Sequence, residues 1–254
     1  MDLGQVTAFF LVFIRAAAFM MSGPLLAIKG IPPLLKVGFS LILAIVVFPA
    51  VGLGAAPLPE DGWDFGLAVI SETGVGLLLG TAVTMVINSI KMAGYFIDIQ
   101  IGYAMATLMD PASGSASTLI SQYLYLLALV FFLMMDGHYT LIVALAKSYQ
   151  LVPLSTAAFS GSVAYILLRI FTGAITVALQ VSAPVLAVLL VTDLVLGFLT
   201  RTTPQINVFL TGFPIKIAVG LLTLSFLIPV LGALFNTIFN TIEGYLYSLM
   251  RELI

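Results

Sequence analysis

Long, nearly uncharged apolar segments dominate this chain of 254 residues and decide what it can fold into. Only 8% of its residues are charged, whereas an average soluble domain has roughly 25%. So few charges do not cover the surface of a water-soluble globule of this size, and lipid or partner proteins must cover it instead. Apolar stretches of about 18 residues or more are candidates for membrane-spanning helices. The pattern predicts helices at about 4–28, 37–55, 66–109, 118–135, 138–151, 160–200 and 215–250.

The breaks between these segments carry residues that end helices. Residues 110–117 read Asp-Pro-Ala-Ser-Gly-Ser-Ala-Ser, and Pro, Gly and Ser each interrupt a helix for a separate physical reason. Residues 29–36 form a basic, proline-rich link, and residues 57–64 form an acidic loop in which Trp63 suits an interfacial anchor. Residues 201–214 form a further break that contains two prolines. The sequence therefore predicts an all-α, membrane-type fold.

Several classes of function are excluded. The net charge is -2 and the nine Lys and Arg residues are scattered, which argues against nucleic-acid binding because phosphate contacts need clustered cations. Cysteine is absent and His138 is the only histidine, so thiolate and His-rich metal sites are ruled out. The chain also lacks the motifs of nucleotide-binding proteins, zinc proteases and serine hydrolases. We therefore expect no catalytic, cofactor-binding or metal site and no enzyme activity.

Polar residues recur at helical spacing inside the apolar segments. The first stripe consists of Asn88, Lys91, Tyr95 and Asp98, which share one helix face. Two further stripes are Arg169, Thr172, Thr176 and Gln180, and then Asn236, Asn240, Glu243, Tyr247 and Arg251. An ionised side chain at mid-bilayer costs about 2.5–3.5 kcal/mol, so such faces must meet a bundle interior, a partner or a water-filled path. A hydrated conduit and hydrogen bonding inside a packed bundle both stay open.

The charged residues also suggest ion pairs along single helices. We expect Asp98 to approach Lys91 across two turns, with Tyr95 between them. We expect Asp193 to pair with Arg201 if the helix between them bends.

Interrupted helices offer an alternative function, because small-solute secondary transporters use helices broken by Gly or Pro. Pro184, Pro204, Gly212 and Pro214 supply such interruptions. The two halves of the chain do not carry a matching pair of interrupted helices, which that architecture usually shows. A transporter and a pure assembly scaffold stay open as alternatives.

The order and spacing of several motifs resemble the FliR family, the flagellar biosynthetic proteins whose relatives serve in type III secretion injectisomes. The resemblance covers nearly the whole chain. Its first and middle parts contain Arg15, Gly23-Pro24, residues 31–36, Ala93-Gly94, Asp98, Gln100, Gly102, residues 110–114, Asp136-Gly137-His138, Ser148 and Pro153. Its most specific stretch contains Asp193, Arg201, Pro204, Gln205, Asn207, Pro214 and Lys216.

The resemblance implies a non-enzymatic subunit of the flagellar type III export gate, with a virulence-type injectisome homologue as the alternative. Such a gate lies in the bacterial inner membrane at the flagellar basal body, and it passes unfolded flagellar proteins. The implied partners are FliP and FliQ homologues in a hetero-oligomeric gate, together with an FlhB homologue. The implied fold is a single domain over 1–254, with a FliP-like part (1–157) followed by a FliQ-like part (158–254). Its helical hairpins assemble into a helical gate.

The resemblance also implies a plug loop that helps to keep the channel closed. The matching residues here are Asp110, Pro111, Ala112, Ser113, Gly114, Ser115, Ala116 and Ser117. Pro111 and Gly114 oppose helix formation, and the small Ala and Ser side chains suit a segment that fills a narrow lumen and yields to cargo.

Overall fold

The computed structural model describes residues 3–24, 31–51, 59, 61–103, 118–202 and 208–254. Over these residues the chain forms seven α-helices and one short 3-10 helix (Phe48–Ala50), and the described part contains no β-strand. The helices are α1 (Leu3–Ser22), α2 (Pro33–Val47), α3 (Gly62–Ile101), α4 (Leu119–Met134), α5 (Gly137–Leu151), α6 (Gly161–Thr202) and α7 (Val208–Glu252). The prediction of an all-α fold is confirmed.

Helices α2 and α3 each begin about four residues earlier than the sequence pattern predicts. Helix α2 begins at Pro33, because proline fits the first turn, where its missing N–H would have no helical partner. Helix α3 begins at Gly62, so Trp63 and Asp64 lie in its first turn and not in a loop. A carboxylate there interacts favourably with the positive end of the helix dipole. Pro33 and Gly62 disfavour a helix interior, but both are tolerated at a helix start.

The prolines of the last two helices also lie differently from expectation. Helix α7 begins at Val208, so Gly212 and Pro214 lie inside it and the predicted break over 201–214 is too long. Pro184 lies inside α6, and Pro229 is a second internal proline of α7. Membrane-type helices tolerate internal proline because neighbouring groups satisfy the backbone carbonyls that it releases.

Among the residues that the structure describes, four helices are long and apolar enough to cross a membrane, namely Gly4–Ser22, Gly62–Ile101, Gly161–Thr202 and Thr211–Glu252. Helices α4 and α5 add a fifth only if they count together as one bent span. Helix α6 has 42 residues, which corresponds to about 63 Å of helix. The hydrocarbon core of a bilayer is roughly 30 Å thick. Helix α6 is therefore about twice as long as the hydrocarbon core that it would cross.

The described helices group into two compact units. The first unit comprises Met1–Val86, Asp136–Phe171 and Phe239–Ile254, and the second comprises Ile87–Met135 and Thr172–Ile238. The long helices α3, α6 and α7 each contribute one part to each unit.

A buried ion pair lies at the centre of the first unit. Arg15 of α1 donates from Nε to Glu72 Oε2 at 2.5 Å and from Nη2 to Glu72 Oε1 at 3.0 Å, and both side chains are fully buried. Arg15 Nη1 also donates to the carbonyl oxygens of Ser148 at 3.0 Å and Val152 at 2.9 Å. These carbonyls lie at the C-terminal end of α5, where a positive charge is favourable. Arg15 thus ties α1 to α3 and caps α5.

Small residues on α3 let α1 approach closely around this pair. A Cβ atom added to Gly76 would lie 2.5 Å from the carbonyl oxygen of Arg15. One turn beyond Gly80, the hydroxyl of Thr84 donates to the carbonyl oxygen of Ser22 at 2.6 Å. The spacing of these small residues explains how two apolar helices pack with almost no gap.

The ion pair yields a stability prediction. Replacing Arg15 by Met leaves Glu72 buried without a cation, and we expect the free energy of unfolding in detergent to fall by about 3–5 kcal/mol. The double variant Arg15→Met/Glu72→Leu should recover most of that loss, because hydrophobic residues often replace a buried ion pair at little cost. The exposed Arg251→Met variant is the matched control. A double variant as unstable as the single one would show that charge pairing is not what holds this unit.

Candidate functional site

A buried carboxylate organises the second unit. Asp98, near the end of α3, accepts hydrogen bonds from the hydroxyl of Thr118, from the backbone N–H of Ser121 at 2.8 Å and from that of Ile120 at 3.2 Å. Asp98 is fully buried. The three donors lie at the start of α4, whose own N-cap residue Thr118 makes no side-chain cap. Asp98 therefore caps α4 from a different helix.

The chemistry of a helix start explains why an aspartate lies here. The first N–H groups of α4 have no partner inside the helix, and leaving a buried donor unsatisfied costs about 1–3 kcal/mol. The negative carboxylate also interacts favourably with the positive end of the helix dipole. These three hydrogen bonds stabilise the buried carboxylate of Asp98. Among the described residues, neither of the two ion pairs involves Asp98.

A glycine allows this close approach of α3 and α4. A Cβ atom added to Gly94 would lie 2.5 Å from the Cα atom of Ser121 and 2.8 Å from its backbone nitrogen. The hydroxyl of Ser121 donates to the carbonyl oxygen of Lys91 at 3.0 Å. The backbone of α4 therefore lies directly against α3, one turn before Asp98.

A second polar cluster joins three helices of the same unit. The carboxylate of Asp193 in α6 forms an ion pair with the ammonium of Lys216 in α7. Its other oxygen accepts a hydrogen bond from the side-chain amide of Gln100 in α3 at 2.9 Å. The side chains of Asp193 and Lys216 are 36% and 23% exposed, so the cluster is partly open to its surroundings. It fixes the last turn of α3 against α6 and α7.

Helix α3 ends beside this cluster. Gly102 has a φ of 103°, a left-handed conformation that favours glycine, and its N–H donates to the carbonyl oxygen of Asp98 at 3.0 Å. The ring of Phe213 packs against Gly102 and meets the ring of Tyr103 edge to face, with 6.2 Å between centroids. The described residues on both sides of 104–117 are therefore held by the last turns of α3.

We call this arrangement the α3 clasp, and define it as Asp98, Gln100, Thr118, Asp193 and Lys216. Asp98 belongs to the predicted polar stripe, whereas Asp193 and Lys216 belong to the predicted family motif. The structure brings these separately predicted residues into one unit. The clasp consists of hydrogen bonds and one ion pair between helices, so it stabilises the packing of these helices.

Two expected ion pairs are corrected. Asp193 pairs with Lys216 and not with Arg201, which is exposed in the last turn of α6. The helix continues unbroken between them, so residues eight apart are separated by about 12 Å along the axis. Asp98 bonds to the start of α4 and not to Lys91, because seven residues correspond to about 10 Å. In both cases a neighbouring helix supplies a nearer partner than the same helix.

The first polar stripe divides between two environments. Asn88 and Tyr95 are exposed, Lys91 is half-buried and Asp98 is fully buried. At 3.6 residues per turn, Asn88 and Asp98 differ by about 80° around the helix, which is enough to turn one outward and the other inward. All four residues of the second stripe are exposed. The third stripe is also exposed, except for Tyr247, which is half-buried and bonds to Lys147.

The remaining predicted residues are exposed or lie outside the described residues. Pro214 is exposed on α7. Eleven predicted site residues lie outside the described residues, namely Asp110, Pro111, Ala112, Ser113, Gly114, Ser115, Ala116, Ser117, Pro204, Gln205 and Asn207. The described residues contain no group of three His, Cys, Asp or Glu side chains that could hold a metal ion.

Sequence reasoning missed three residues that make the key contacts. Thr118 and Ser121 face Asp98, and Glu72 pairs with Arg15. Thr118 carries a usable signal, because Thr directly before an apolar run is typical of a helix start. Glu72 carries the signal of a single acid inside an apolar segment, but the sequence does not say which cation it meets.

The cap on α4 yields an exchange prediction. Asp98→Ala removes the acceptor of the Ile120 and Ser121 N–H groups, so their amide hydrogen exchange should accelerate and the free energy of unfolding should fall by about 1–3 kcal/mol. Asp64→Ala is the matched control, since Asp64 is an exposed acid at the other end of the same helix. Unchanged exchange over residues 118–122 in the Asp98 variant would contradict the cap.

The close approach of α3 and α4 yields a steric prediction. Gly94→Ala places a methyl group against the Ser121 backbone, and we expect a loss of about 1–3 kcal/mol in unfolding free energy. Gly66→Ala in the same helix meets open space, so it should be neutral or slightly stabilising, because Ala favours helix over Gly. Equal effects of the two substitutions on denaturant midpoints would refute the close contact.

Comparison with known proteins agrees with the architecture. The family described as "Bacterial export proteins, family 1" matches residues 6–242 of the chain. The Flagellar biosynthetic protein FliR of Bacillus subtilis (strain 168) is 36% identical over 241 residues, which cover 93% of this chain and 92% of that protein.

Two further relatives bear the same name. The protein of Pectobacterium carotovorum subsp. carotovorum is 30% identical over 253 residues, covering 98% of this chain and 94% of the relative. The protein of Escherichia coli (strain K12) is 25% identical over 251 residues, covering 99% and 95%. Because the family match and the relatives extend over nearly the whole length, the chain belongs to the bacterial export proteins, family 1.

Proposed function

We propose that this chain is a subunit of the flagellar type III protein export gate, in which it helps to form and to close the channel for unfolded flagellar proteins. The chain is a bacterial export protein with several apolar, membrane-type helices, and its relatives are named flagellar biosynthetic proteins. The family match over residues 6–242 carries this proposal. It supports the flagellar function over a small-solute transporter, and the relatives' names favour the flagellar over the injectisome branch.

The exposed apolar surface supports assembly with other membrane subunits. Large apolar side chains such as Leu194 and Phe198 on α6, and Leu222 and Phe226 on α7, are exposed in the single chain. Helices α4 and α7 also border an open apolar groove of about 560 Å³. We propose that FliP and FliQ homologues cover much of this surface, that an FlhB homologue associates with them, and that residues 1–157 and 158–254 are FliP-like and FliQ-like parts.

The proposed location follows from the same features. An export subunit of flagellum biosynthesis with four long apolar helices suits the bacterial inner membrane at the flagellar basal body. The relatives are named biosynthetic and export proteins and not enzymes. We propose that the chain acts by shaping and closing a conduit and not by catalysis.

The closing function is assigned to residues 110–117. Their Pro, Gly, Ala and Ser composition suits a segment that fills a lumen without forming a helix. The α3 clasp supports the assignment, because Gly102 before the segment and Thr118 after it both bond to Asp98. The described residues that flank 104–117 are therefore both bonded to one residue of α3.

The test of the plug is a deletion of residues 111–117. We expect the deletion to leave a complex that conducts ions, because nothing of the segment's bulk then occupies the channel. Conductance of the purified complex in planar bilayers, or ion leakage in cells that express it, measures the effect. The matched control keeps the length and composition of residues 111–117 but scrambles their order, and this variant should stay closed.

The outcome of purification tests the gate assignment itself. The chain should come out of detergent extracts in a stable complex with the FliP and FliQ homologues. A monodisperse single chain that binds a small solute would overturn the gate and favour a transporter. An intact complex with unchanged conductance after the deletion would remove residues 111–117 from the closing function and leave the gate standing.

A further inference from the structure

Lys91 is a cation of the second unit that does not belong to the α3 clasp. The Lys91 ammonium lies 5.7 Å from the centre of the Tyr125 ring, on the side of α3 that faces α4. The carbonyl oxygen of Lys91 accepts a bond from Ser121, so its backbone is fixed beside α4. The side chain itself is only half-buried. Lys91 therefore lies at the boundary between the packed face of α3 and its open face.

Lys91 lacks a negative partner within the part of the chain that the structure describes. The two ion pairs found there are Arg15 with Glu72 and Lys216 with Asp193. The nearest acid on its own helix, Asp98, is fully buried and accepts its bonds from the start of α4. The ring of Tyr125 stabilises a cation weakly compared with a carboxylate. A cation inside a long apolar helix, here about three-quarters of the way along α3, is favoured by a stronger counter-charge.

The open face of α3 around Lys91 carries further hydrogen-bonding groups. Asn88 lies one turn before Lys91 and is exposed, and Tyr95 lies one turn after it and is 44% exposed. The three side chains follow the helix axis over about 10 Å. A row of polar groups parallel to the axis matches the side chains of an adjacent helix. A lipid headgroup would meet only one level of such a row.

We infer that the Asn88–Lys91–Tyr95 face binds a carboxylate, an Asp or Glu side chain, on a helix of a neighbouring subunit. The inference rests on the proposed assembly of the chain in a multi-subunit gate, and it names the chemistry of one contact in that assembly. Lys91 supplies the charge, and the Asn88 amide and the Tyr95 hydroxyl bond to polar groups on the adjacent turns of the neighbouring helix. Tyr125 holds the ammonium in place from the other side.

Carbodiimide coupling of the intact, detergent-purified complex tests this contact. The reagent joins an amine directly to an adjacent carboxyl group, so Lys91 should form an amide with an Asp or Glu of another chain, identified by mass spectrometry. Lys91→Arg is the decisive variant, because it keeps the charge and the fold but offers no amine for coupling. Lys36→Arg is the matched control, because Lys36 is a half-buried lysine in the first turn of α2, and it should leave the product unchanged.

Each outcome decides the inference separately from the gate. An interchain product that is lost only in Lys91→Arg supports it. A Lys91 product only within this chain, to Asp110 for example, overturns it, and so does an intact complex without a Lys91 product. Lys91→Met should weaken retention of the neighbouring subunits by roughly 30-fold or more, because it leaves the partner's carboxylate unpaired. Full retention in that variant would overturn the inference, and rescue of a lost retention by anionic phospholipid alone would assign the face to lipid.

Discussion

The ends of helices are the points at which an apolar chain of this kind is most constrained. Backbone N–H and C=O groups there have no partner within the helix, and neither lipid nor apolar side chains supply one. The structure meets this constraint at two buried places with a charged side chain from another helix. Asp98 of α3 bonds to the first N–H groups of α4, and Arg15 of α1 bonds to carbonyls at the end of α5.

The sign of each charge fits its position. A carboxylate lies at the positive end of α4 and a guanidinium at the negative end of α5, so the helix dipoles stabilise both charges. Each also binds a second group, since Arg15 pairs with Glu72 and Asp98 accepts from Thr118. This double use explains how a chain with only 8% charged residues fastens so many helices. The Asp193–Lys216 pair does the same for α3, α6 and α7 through Gln100.

Much of the fold could be predicted because it follows from local chemistry. Apolar length and breaker residues placed α1, α3, α4, α5, α6 and α7 to within a few residues, apart from the start of α7 and the ends of α1 and α3. That start differs because Pro214 was interpreted as a break although a membrane-type helix tolerates it. The partners of charges were harder to predict. The sequence indicated that Asp98, Asp193 and Arg15 need partners, but only packing shows that Ser121, Lys216 and Glu72 supply them.

The caps that come from other helices also carry a consequence for the order of folding. Asp98 of α3 caps the start of α4 and Arg15 of α1 caps the end of α5, so this pair reaches its final form only when α1 and α3 are already in place. Arg15, Glu72 and Asp98 all precede residue 118 in the chain. A ribosome therefore delivers the charged caps before the helices that need them. Synthesis from the N-terminus therefore places the capping side chains in the membrane before the helix ends that they cap.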